Sequence, residues 1–163
     1  QVLEDTLLGY QLEPYTKTKK RKAIATAKFY FFDIAIARSL RGIPAPSEGT
    51  SEFGEYFEHL VCMELKAWIS YASPKSKLTY WRSTSNMEVD FCLDEELAIE
   101  VKSTMNVTEK HLKGLRALRE EGIFKRYIVV CQEEHPRHTE DGIEILPWKY
   151  FFETLWNSVK TEN

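Results

Sequence analysis

No run of apolar residues in this 163-residue chain approaches the ~20 needed to cross a bilayer, and no secretory signal peptide is visible. Cysteine is scarce. Cys62, Cys92 and Cys131 are odd in number, widely spaced and set among apolar neighbours. That excludes a disulfide framework and suits the reduced, buried thiols of a cytosolic protein. Glycine is sparse too: Gly42, Gly49 and Gly54 make neither a P-loop nor a dinucleotide fingerprint, so this segment is not expected to bind ATP through such a loop. A nucleophile-elbow pattern is missing. Cys131, His135 and His138 lie near one another, but a structural zinc site needs four ligands and no fourth is evident. The net charge of −3 argues against a generally basic nucleic-acid binder. The chain opens with Gln1 and is expected to be cut from something longer.

What is present describes a globular domain of ordinary size. Hydrophobic residues make 43% and aromatics 13% of the chain, enough for a real core. Charge is uneven: residues 1–48 hold eight Lys+Arg against five Asp+Glu, whereas the remainder holds fourteen against twenty. Leu3 to Leu8 is expected to end a helix. Leu7 to Tyr15 and Ile24 to Phe32 then read as strands of a hairpin, joined by Lys17-Thr18-Lys19-Lys20-Arg21-Lys22. Such a hairpin resembles the wing of a winged-helix module, and Lys17, Lys19, Lys20, Arg21 and Lys22 suit contact with DNA phosphates. The alternative is a solvated loop held open by its own like charges.

Asp33 to Leu40 predicts a short helix, closed by the proline-rich stretch that ends at Pro46. That is the best candidate boundary in the chain. Ser51 is expected to cap a helix running to Ser70, with Phe53, Phe57, Leu60, Val61, Leu65, Trp68 and Ile69 on one buried stripe. Glu58 lies at the edge of that stripe, within reach of a cleft beside the sheet. Glu64 falls nearer its centre, where an acid is unusual. Leu78 to Arg82 reads as a strand, Thr108 to Glu121 as a helix stopped by Gly122, and Arg126 to Gln132 as a buried strand. Glu133 to Gly142 reads as a polar loop, Ile143 to Leu146 as a short strand and Trp148 to Trp156 as a closing helix.

The chemistry is concentrated between Met87 and Lys102. Two alternating runs, Glu88 to Leu93 and Leu97 to Lys102, flank Asp94-Glu95-Glu96 and predict a hairpin. A turn centred on Glu95 sets Asp90 opposite Glu100 and Glu88 opposite Lys102. Alternation then puts these four on one side, with Val89, Phe91, Leu93, Leu97, Ile99 and Val101 on a core side. Opposed carboxylates are destabilising unless they stand in water or share a cation. Oxygen ligands of this kind suit Mg²⁺ or another hard divalent ion, and Lys102 is placed to orient a water or offset negative charge. The competing expectation is an exposed sheet face on which Lys102 pairs with Glu88 or Glu100. Arg82, at the end of the preceding strand, suits a phosphate contact.

From residue 51 the order α-β-β-β-α-β, with Asp90 on one strand and Glu100-Val101-Lys102 on the next, resembles the PD-(D/E)xK superfamily of restriction-endonuclease-like folds. Val89 stands where the superfamily's name carries proline. The ordered series Lys28-Phe29-Tyr30-Phe31-Phe32-Asp33, Gly54-Glu55-Tyr56-Phe57-Glu58, Tyr80-Trp81-Arg82, Glu88-Val89-Asp90-Phe91 and Ile99-Glu100-Val101-Lys102 is similar to a C-terminal domain of unknown function attached to bacterial and archaeal AAA-type ATPases. The resemblance implies an α/β fold, a mixed sheet flanked by helices. Residues 1–46 would be a winged-helix remnant leading from the ATPase, and 47–163 a nuclease-like domain. It further implies Mg²⁺ or Mn²⁺ held by Asp90, Glu100, the Val101 carbonyl and Glu58, with Lys102 positioning water for phosphodiester hydrolysis in DNA. The expected partners are DNA and the ATPase module, which could also bring about oligomerisation. Expected in its place, if the site is retired, is a module binding nucleic acid or a protein partner, or a structural tail that assembles the ATPase.

Overall fold

The structure is a computed structural model that describes residues 9–42, 44 and 46–160. The helix end expected over Leu3 to Leu8 lies outside them. Strands β1 (Gly9–Leu12) and β2 (Lys28–Phe31) form the expected antiparallel hairpin, shorter than the sequence suggested. Helix α1 spans Ile34–Arg41, capped by the Asp33 carboxylate, which accepts from the backbone N–H groups of Ala35 and Ile36. Helix α2 spans Ser51–Ala72. Its cap is Thr50 and not Ser51, because Thr50 is the last residue with extended backbone and its hydroxyl accepts from Phe53 N–H.

The six-stranded sheet has the order β3-β4-β5-β6-β8-β7, built from Leu78–Arg82, Glu88–Leu93, Leu97–Val101, Arg126–Cys131, Glu144–Pro147 and Arg137–His138 respectively. The strands β3, β4 and β5 meander antiparallel, whereas β5, β6 and β8 run parallel. A parallel pair needs a crossover. Between β5 and β6 it is a 3-10 turn at Glu109–Leu112 leading into α3 (Lys113–Arg119), and Gly122 at φ 69° turns the chain out of that helix. The loop expected over Glu133 to Gly142 contains the two-residue β7, which pairs antiparallel with β8. The last helix, α4, spans Trp148–Lys160.

Both sheet faces are covered. On one, Phe57, Val61 and Leu65 of α2 and Phe151 and Leu155 of α4 pack on Phe91, Ile99, Val101, Ile128 and Val130. On the other, Leu112, Leu115 and Leu118 pack on Val89, Cys92, Ala98, Val129 and Ile145. This explains why the apolar run in β6 is continuous: consecutive residues feed opposite cores. Leu12 and Tyr30 of the N-terminal hairpin lie in the first core, and Tyr15 in the second. Glu64 owes its inward place to α4, whose Trp156 indole N–H donates to its carboxylate.

Candidate active site

The β4–β5 hairpin has the expected register, with Phe91↔Ile99, Cys92↔Ala98 and Leu93↔Leu97 paired. The single-faced arrangement does not hold. Along β3 and β4 the partners run Leu78↔Leu93 and Thr79↔Cys92, then Trp81↔Val89 and Arg82↔Glu88, so the register slips by one at Tyr80. A bulge at Asp90-Phe91 accommodates the extra residue. It sends Val89 into the core under α3 while Phe91 enters the core under α2. The competing expectation of an exposed charged face does not hold either: Asp90 and Glu100 are each only 6% exposed.

At this same point the strands part. The described β4–β5 pairs end at Phe91↔Ile99, while β5 continues beside β6 through Val101↔Val130. The Asp90 carboxylate fills the opening, its Oδ2 accepting from the Val101 backbone N–H at 2.8 Å. Lys102, whose N–H donates to Val130 O, turns its ammonium onto Glu100 Oε1 at 2.6 Å. The other oxygen, Glu100 Oε2, is buried without a hydrogen-bond partner. Glu58, one helical turn from the buried Cys62 of α2, accepts from the Tyr30 hydroxyl and lies 3.5 Å from Lys28 Nζ. The four residues expected to share a site, Glu58, Asp90, Glu100 and Lys102, thus converge, and Val101 contributes its N–H.

Glu88 does not face Lys102, because the bulge ends that pairing. It binds Lys28 Nζ at 2.5 Å and lies 3.6 Å from Arg82 Nε. Lys28 also stands 4.0 Å from Asp90 Oδ1 and over the Tyr80 ring. Sequence reasoning did not assign Lys28 or Tyr30 to the site. The signal was their spacing of two on a strand, which turns both to one side while Phe29 and Phe31 face outward. A cleft of about 330 Å³, lined by Lys28, Tyr30, Glu55, Glu58 and His59 among others, opens beside them.

Burial, then the Glu58 carboxylate, pushes the Asp90 pKa up to about 7. Burial and then Asp90 raise that of Glu100 well above the carboxylate range. Burial works against both ammonium groups, but Glu58 and Asp90 outweigh it at Lys28, as Glu100 and Asp90 do at Lys102. Both lysines are held above their ordinary value. Among the described residues, no group of three or more His, Cys, Asp or Glu side chains is gathered so as to hold a metal ion. The donor chemistry nonetheless fits a hard divalent ion: Asp90 and Glu100 offer only oxygen, one of them an orphaned buried oxygen, and a cation would relieve their mutual repulsion. The third carboxylate, Glu58, is engaged by Tyr30 and Lys28 instead.

The basic run sits elsewhere. Lys17 pairs with Glu95 in the β4–β5 turn, the backbone N–H groups of Lys19, Lys20 and Arg21 donate to the Glu121 carboxylate, and the Arg21 side chain binds Glu120 and Ala117 O. Lys20 Nζ donates to Glu120 O, and Lys22 O accepts from Thr84 N–H. The described contacts of Lys17 to Arg21 lie at the end of α3 and in the β4–β5 turn, and that of Lys22 in the turn between β3 and β4. Arg82 lies closer to the acids, through Glu88.

No curated protein and no solved structure matches the chain. A family match does exist over residues 53–151, more than half of the chain, and it takes in Glu58, Asp90, Glu100 and Lys102 but not Lys28. This chain belongs to the family described as Domain of unknown function (DUF4143).

Proposed function

We propose that the chain carries a divalent-metal-dependent phosphodiester hydrolase site of PD-(D/E)xK type, acting on DNA. One observation carries this reading: two strands that part at the bulge deliver Asp90, Glu100 and Lys102 into one buried cluster beside Glu58. Asp90 and Glu100 would hold Mg²⁺ or Mn²⁺, with the Val101 carbonyl, and Glu58 would bind directly or through water. The bound ion supplies positive charge against the negative charge gathering on the phosphate. The work of Lys102 is positional. Its ammonium is fixed by Glu100 at 2.6 Å, and its remaining donors orient the attacking water. The Val101 N–H holds one Asp90 oxygen and leaves the other for a ligand. Arg82, half exposed beside Glu88, offers a guanidinium to a phosphate.

The wider proposal is an ATPase module on the same polypeptide that governs the site and assembles it. The ordered series of segments from Lys28 to Lys102 supports it. A cytoplasmic setting is in line with three free, buried cysteines. Incubated with supercoiled plasmid and Mg²⁺ or Mn²⁺, the chain is expected to nick DNA, and Asp90→Ala to lose at least roughly 100-fold in rate. Equal cleavage by both proteins would overturn the reading.

One observation favours an inactive nuclease-fold module that binds nucleic acid or a protein partner: an ammonium, that of Lys28, already stands among Glu58, Glu88 and Asp90. DNA binding that is indifferent to divalent ions and lost when Lys19 and Lys22 are neutralised would decide for it.

A further inference from the structure

We infer that Lys28 is the resident counter-cation of the acid cluster, and that its ammonium and a divalent ion exclude one another, so that the N-terminal hairpin controls loading of the site. This rests on the hydrolase reading and adds a regulator to it.

Three observations meet at one atom. Lys28 Nζ lies 2.5 Å from Glu88, 3.5 Å from Glu58 and 4.0 Å from Asp90, three carboxylates contributed by two different elements. The lysine itself comes from a third element, β2, outside the stretch matched by the family. The neighbouring Tyr30 on the same side of β2 donates its hydroxyl to Glu58, the carboxylate needed to complete a three-acid ligand set. The hairpin therefore holds Glu58 from two directions while supplying the positive charge that the acids require.

An ion shared by Asp90 and Glu58 would be placed next to an ammonium already within 4.0 Å of both. Positive charges that close repel strongly in a site shielded from water, and Asp90 and Glu100 are both buried. The converse is equally direct. Without Lys28, the carboxylates Glu58, Glu88 and Asp90 lose the cation they share and have more to gain from a divalent one. Lys102 also acts on Asp90 through its charge, but its close contact is with Glu100 on the other strand, and Glu58 and Glu88 have their ion pairs with Lys28. The inference concerns which cation fills the cluster, so it is read by binding and needs no turnover.

Isothermal titration with MnCl₂ alone tests it on the whole chain, comparing wild type, Lys28→Met, Lys28→Arg and the double variant Lys28→Met/Asp90→Asn. Lys28→Met is expected to bind Mn²⁺ at least tenfold more tightly than wild type. Lys28→Arg, which keeps the charge, is expected to match wild type, and adding Asp90→Asn to remove the gain. Mn²⁺ binding by wild type with no gain in Lys28→Met overturns the counter-cation role and leaves the hydrolase reading standing. Absence of Mn²⁺ binding in both chains overturns both. Should Lys28→Met be unfolded without metal, its helical circular-dichroism signal is expected to return on adding Mn²⁺, and failure to return overturns the inference.

Discussion

Asp90 condenses the energetics of the site into one side chain. Its pKa rises from the ordinary 3.8 to about 7, chiefly through burial and then through Glu58, and Glu100 shifts the same way. Between those values the folded chain holds protons that the unfolded chain has released. Stability of the metal-free protein therefore falls as pH rises from about 4 to about 7. Asp90→Asn keeps an acceptor for the Val101 N–H but loses the ionisation. It is expected to flatten that decline and raise the melting temperature at pH 8 above wild type, by an amount on the order of a few kcal/mol in stability. Thermal melts at pH 5 and pH 8 in metal-free buffer check it, and an unchanged slope would show that Asp90 ionises in the folded chain at little cost. At this scale the residue types were legible. Asp90, Glu100 and Lys102 stood out because alternation and register are local properties of the chain. Lys28 did not, because nothing within its own strand says which distant carboxylates it will meet.

Between elements, the positions that matter are those where backbones touch. A β-carbon on Gly114 of α3 would lie 1.9 Å from Glu88 O, so α3 rests directly on the backbone of β4 beside the acid cluster. Gly→Ala inside a helix ordinarily gains about 0.5–1 kcal/mol. Here Gly114→Ala is expected to cost about 1–3 kcal/mol by forcing α3 off the sheet, and urea unfolding measures the sign. The connection between β1 and β2 illustrates a second kind of contact. Three successive backbone N–H groups, from Lys19 to Arg21, converge on the carboxylate of Glu121, whose pKa they lower against the effect of burial. Glu121→Ala is expected to speed amide hydrogen exchange at these three residues about tenfold or more, corresponding to loss of at least ~1.4 kcal/mol of local protection. Unaltered exchange would mean that the run is anchored by its side chains alone. Composition announced this run as basic, yet its acidic seat lies a hundred residues away and is set by the packing of α3.

The molecule as a whole is a sheet with two cores, and Trp81 at the centre of the second is fully buried. Trp81→Ala is expected to cost about 3–5 kcal/mol and to lower the thermal midpoint accordingly. A loss below ~1 kcal/mol would indicate that the second core is not integral to the fold. No helix among the described residues is long and apolar enough to cross a membrane, as the absence of apolar runs foretold. The order of elements, the hairpin register and the leucine stripe at 112, 115 and 118 could be read from the chain, because each depends on periodicity between near neighbours. The bulge at Asp90, the burial of both sheet faces over β4 and the entry of Lys28 and Tyr30 into the acid cluster could not. Those are settled by long-range packing: α2, α3 and the N-terminal hairpin press on the sheet from different sides, and charge buried between them must find its partner wherever the fold brings one.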